Sequence, residues 1–88
     1  MANKRDLKKD INYVFGDIIE AAYLHQIANP EQNKTQTEEI VDEAIEGFDQ
    51  LIEKVNQRNL ENPKDHFRSV RKELEERAQD LVEKVNAL

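Results

Sequence analysis

The side chains of this protein best suited to chemistry are two histidines, one serine and a run of carboxylates, and their spacing decides what they could do. Carboxylates on helices invite a di-iron reading, which needs Glu on facing helices together with inward-projecting Glu-x-x-His repeats. Three residues before His25 stands Ala22, and three before His66 stands Pro63, so neither histidine belongs to such a repeat. Asp42, Glu46, Asp49 and Glu53 recur at helical spacing and read as a solvated face. No spaced Asp/Asn loop with a central Gly resembles a calcium-binding EF-hand. Ser69, set among Arg68 and Arg71, lacks a base, an orienting acid and a recognisable oxyanion hole. The lack of cysteine removes thiolate metal sites, disulfides and a Cys nucleophile together. The expectation is a protein that is not an enzyme and uses no metal or cofactor. His25 falls on an apolar stripe and reads as a hydrogen-bonded residue at the edge of a core, in preference to a ligand-binding group. His66 reads as an exposed first-turn residue in preference to an anion contact.

Charge narrows the partners. The 88 residues include 13 Lys and Arg against 19 Asp and Glu, a formal charge of −6. A nucleic-acid backbone or an anionic membrane is repelled by such a chain as a whole. There is no Gly-rich phosphate loop, basic recognition helix or RNP-like strand, and Tyr13 and Tyr23 have no basic groove beside them for single-strand binding. Neither a nucleic acid nor a membrane is an expected partner. No apolar stretch approaches the ~18 residues of a transmembrane helix, and the charged start lacks the apolar run of a secretory signal, so the expected location is cytoplasmic.

The elements that position these residues follow from periodicity. Asn29-Pro30 and Asn62-Pro63 divide a single domain, residues 1–88, into three segments. Leu7, Ile11, Val14, Ile18, Ala22 and His25 step by threes and fours, which predicts a helix over about 4–28 with Asn3 as its cap. Ile40, Val41, Ala44, Ile45, Phe48, Leu51, Ile52 and Val55 predict a second over about 36–58. Its N-terminus reads as a Thr35/Glu38 capping box, with Glu38 and Glu39 at the positive end of the helix dipole and Lys54 and Arg58 at the negative end. Phe67, Val70, Leu74, Ala78, Leu81 and Val85 predict a third over about 63–87, with Asn62 as cap, Pro63 at the first helical position and Asp65 as the acid reaching back. Short connections make consecutive helices antiparallel neighbours, so the expected fold is all-α, an up-down-up three-helix bundle.

That topology brings residues 1–12 and 53–72 to one pole, where ten basic residues face five acids, and leaves the other pole strongly acidic. Lys4, Arg5, Lys8 and Lys9 there oppose the helix dipole, so helix stability alone does not account for them. Lys8, Lys64, Arg68 and Arg71 are the candidate anion-binding residues of this pole. Around the first helix, at about 100° per residue, Ile19, Tyr23, Leu24 and Ile27 fan out beyond the inward stripe. They form the candidate interface, which a homodimer, docked or helix-exchanged, would cover. Gly16 and Gly47 fall at matching heights of the first two helices, as do Phe15 and Phe48. Each glycine reads either as a point of close helix approach or, by preference, as a tolerated interior glycine.

With its opening run Met1-Ala2-Asn3-Lys4-Arg5-Asp6-Leu7-Lys8-Lys9-Asp10-Ile11-Asn12 and its three capped helices, the chain resembles, over its whole length, an uncharacterised family of small all-helical bacterial proteins. The resemblance implies a bacterial, cytoplasmic origin and brings no known activity. Two functions are therefore expected to compete. One is a non-enzymatic protein acting through self-association, as a homodimer, or through contact with another protein. The alternative is a binder of anions or acidic ligands at the basic pole.

Overall fold

Three amphipathic stripes cannot be buried separately, and in the computed structural model they are buried against one another. The structure describes residues 4–32 and 34–88. Helix α1 spans Lys4–Ala28, α2 Lys34–Val55 and α3 Pro63–Asn86. Antiparallel order of α2 and α3 is written in their side-chain pairs. From Glu43 through Gln50 to Lys54 on α2, the partners on α3 run backwards from Lys84 through Arg77 to Glu73, at 2.8, 2.6 and 2.5 Å. Arg71 of α3 reaches Asp10 of α1 at 3.1 Å, which sets the starts of those two helices at the same end. The topology is the expected up-down-up bundle.

The core is one layer of side chains along the bundle axis. Leu7, Ile11, Phe15, Ile18 and Ala22 enter from α1, Ile40, Val41, Ala44, Leu51 and Val55 from α2, and Val70, Leu74 and Leu81 from α3. Phe15 and Phe48 share a layer as expected, their rings edge to face with centroids 6.4 Å apart. Gly47 sits beside that pair. A Cβ there would lie 3.2 Å from the Phe15 ring and 3.2 Å from the Arg77 guanidinium, so this glycine is a point of close approach inside the bundle. Gly16 has nothing within 4 Å of a Cβ placed on it, and its backbone is not left-handed.

Helix ends differ from expectation in two places. α2 begins at Lys34, so Thr35 lies inside its first turn and does not cap it, and Glu38 and Glu39 stand one turn further in. Thr37 falls on the core side, where it is 2% exposed and its hydroxyl has no partner among the described residues. At the other end α2 stops at Val55, the last fully buried residue of its stripe, so Arg58 belongs to the connection and not to the helix end. Residues 56–59 offer nothing to bury, and Asn59 turns the chain with a left-handed φ of 60°. α3 starts as read: Asn62 accepts from the Asp65 backbone N–H at 3.2 Å, with Pro63 behind it. The Asp65 carboxylate accepts from the Asn62 side-chain amide at 2.9 Å. The Asn3 cap lies outside the described residues.

Candidate functional site

The outer face of α1 carries most of the large apolar side chains left exposed among the described residues, with Val82 of α3 also exposed at 44%. Tyr23, Leu24 and Ile27 are 52%, 58% and 74% exposed, as their angular positions imply. Ile19 is different: it is half-buried and packs against the core edge. Lying 80° from Ile11 on the helical wheel, it turns toward α2 and not into solvent. There it lines a shallow groove of about 180 Å³ between α1 and α2 with Asn12, Phe15, Gly16, Ile45 and Phe48. Ile45 adds a 48% exposed side chain from α2, so the apolar strip runs from the α1/α2 seam out onto α1. Tyr13, on the same outer side of α1, is 58% exposed. Packing explains the pattern, since a helix with three neighbours' worth of apolar residues has only two neighbours here.

The four candidate anion-binding residues do not converge as free cations. Arg71 is engaged by Asp10 at 3.1 Å. Arg68 lies 4.0 Å from Asp65 on its own helix, Lys64 is exposed in the first turn of α3, and Lys8 is half-buried on α1. His66, read as an exposed residue, is half-buried, and its Nε2 donates to the Lys54 carbonyl at 2.7 Å. A carbonyl oxygen only accepts, so the proton sits on Nε2. The same carbonyl accepts from the Gln57 backbone N–H at 3.3 Å, so the His66 bond is a second one on it and ties the end of α2 to the start of α3. No sequence signal marks it, because it joins two helices across a loop. His25 is at the core edge as expected, but the hydrogen bonds run to its backbone carbonyl, from Asn29 N and Asn29 Nδ2 at 3.0 and 3.2 Å. Its ring Nδ1 has no partner among the described residues.

Electrostatics concentrate at the α2/α3 seam. Lys54 holds Glu73 at 2.5 Å, and Arg77 Nε lies 3.3 Å from the other carboxylate oxygen. The Lys54 hydrogen bond, with the charges of Lys54 and Arg77, keeps the Glu73 carboxyl below its ordinary value against an opposing cost of burial. Lys84 bridges Glu43 and Asp80 at 2.8 and 3.2 Å, and these hydrogen bonds push its ammonium above the usual range. Such pairs tie α2 to α3, although the Glu73 Oε2 that faces Arg77 is buried and makes no hydrogen bond among the described residues. Among the described residues no cluster of His, Asp and Glu is arranged to hold a metal ion, and no helix is long and apolar enough to cross a membrane.

The fold and this surface define a small three-helix bundle with an apolar flank open on α1. Comparison with known proteins matched no family model, no curated sequence and no solved structure.

Proposed function

We propose that this protein is a non-enzymatic helical bundle that acts by self-association or by docking another protein on the outer face of α1. The observation that carries this reading is the exposure of Tyr23, Leu24 and Ile27 in continuity with the Ile19/Ile45 groove. Aromatic and aliphatic side chains grouped on one side of a small bundle are the composition of an interface centre, whereas scattered single residues would carry no such meaning. The size of the chain favours it as well, because a bundle of this length gains stability from surface buried against a second molecule.

Light scattering on a sizing column, at low and high salt, tests the reading. A dimer that survives high salt is the expected result, since apolar contacts are not screened. Ile27→Glu should return the protein to a monomer with unchanged helix content. A dimer dispersed by salt would shift the contact to the charged poles. A monomer in both conditions would overturn self-association.

A further inference from the structure

The residues around Gly16 on α1 form a face that is complementary to itself when turned end for end. Lys9 and Tyr23 lie seven residues either side of Gly16, Arg5 and Ile27 eleven, and Tyr13 and Ile19 three. At about 100° per residue all of them fall within about 60° of the Gly16 direction. The N-terminal half of this face carries the basic Arg5 and Lys9, and the C-terminal half carries the apolar Ile19, Tyr23 and Ile27 with one acid, Glu20, among them. At the height of the apolar half, α2 carries Glu38 and Asp42, about 20° and 60° from Ile45 on the helical wheel, both exposed and in no ion pair among the described residues. Their height is set by the groove, where Ile19 is level with Ile45, so Tyr23 is level with Val41 and Asp42.

We infer that the α1/α2 groove receives α1 of a second copy running antiparallel, with the twofold axis passing at Gly16. This rests on the self-association reading above and gives it a direction and a register. In the antiparallel pair Lys9 of one copy meets Tyr23 and Asp42 of the other, a cation over an aromatic ring beside a carboxylate. Arg5 meets Ile27 and Glu38, its stem on the apolar side chain and its charge toward the acid. Twofold symmetry makes each contact twice. A parallel pair would set Arg5 and Lys9 against their own copies and lose the acids, so charge selects the direction. Gly16 then has a use that the single bundle does not give it. Exposed, with open space where its Cβ would be, it lets two helix backbones cross closely on the axis.

Because the chain has no cysteine, single-cysteine variants report the register directly. Lys9→Cys and Tyr23→Cys are both at exposed positions, and each copy alone should form no disulfide under mild oxidation. An equimolar mixture should give the 9-to-23 cross-linked dimer in good yield. Gly16→Leu should keep full helix content and weaken dimerisation at least tenfold. A dimer by mass in which Lys9→Cys links to itself, or in which Gly16→Leu associates as tightly as the parent, overturns the antiparallel register and leaves self-association standing. A monomer by mass at every concentration and salt overturns both.

Discussion

At the scale of single residues the two glycines separate what the fold needs from what it tolerates. Both stand inside helices with ordinary backbone angles, so replacing either by Ala recovers up to ~1 kcal/mol of helix propensity. The difference lies in what the new methyl meets. At Gly16 it meets nothing within 4 Å, so Gly16→Ala should stabilise the monomer by about 0.5–1 kcal/mol. At Gly47 it presses on the Phe15 ring, which is 1% exposed and braced against Phe48, and on Arg77, which holds Gln50 at 2.6 Å. Overpacking of that kind costs about 1–3 kcal/mol, so Gly47→Ala should come out destabilised by about 1 kcal/mol after the propensity gain. Urea unfolding at dilutions where the monomer prevails measures both. Opposite signs are expected, and equal gains at the two sites would mean that the bundle does not need the close approach at Gly47.

Between elements, the α2/α3 seam is the part of the fold most exposed to acid. Glu73 is held as a carboxylate by Lys54 and Arg77, with its folded value below its unfolded one. The stability it contributes is therefore present above the ordinary carboxylate range and is lost as pH falls through the folded value. Glu73→Gln removes that proton-linked part. Its urea midpoint should lie below the parent's at about pH 7, and the gap should close by about pH 3. A gap independent of pH would show that the carboxylate's charge is not what the seam uses. The seam also shows where sequence patterning runs out. The stripes Leu7–Ile18 and Ile40–Val55 place α1 and α2 because an apolar period reports which face is buried. The same angles find Tyr23, Leu24 and Ile27 outside. They do not find Ile19 half inside, since its burial depends on how α2 leans across the flank. Nor do they find His66 on the Lys54 carbonyl, a contact fixed only once the connection has closed. Nor do they find the start of α2, where Thr35 has the chemistry of a cap but stands inside the first turn.

For the molecule as a whole, shape and charge act together. Its radius of gyration is 14.6 Å, against roughly 12 Å for a compact chain of this length, and its extents are 50 × 20 × 17 Å. A core so thin places nearly every charge at the surface, and the net of −6 is unevenly spread, with the acidic excess on the half away from the α2/α3 connection. Two effects of salt then compete within the folded monomer. Screening weakens ion pairs such as Lys84 with Glu43 and Asp80, but exposed pairs are each worth only about 0–1 kcal/mol. Screening also relieves repulsion among Glu38, Glu39, Asp42, Glu46 and Asp49, which crowd successive turns of α2 with no cation paired to them among the described residues. Like charges at helical spacing cost a few tenths of a kcal/mol each, and they outnumber the pairs on that half, so relief should win. Thermal unfolding followed by circular dichroism at a dilution that keeps the monomer should therefore show a Tm that rises from low salt to about one Debye length of 3–4 Å, near molar ionic strength. A falling Tm would mean that the cross-helix ion pairs outweigh the repulsion, and would make the α2/α3 seam, not the apolar core alone, the determinant of this bundle's stability.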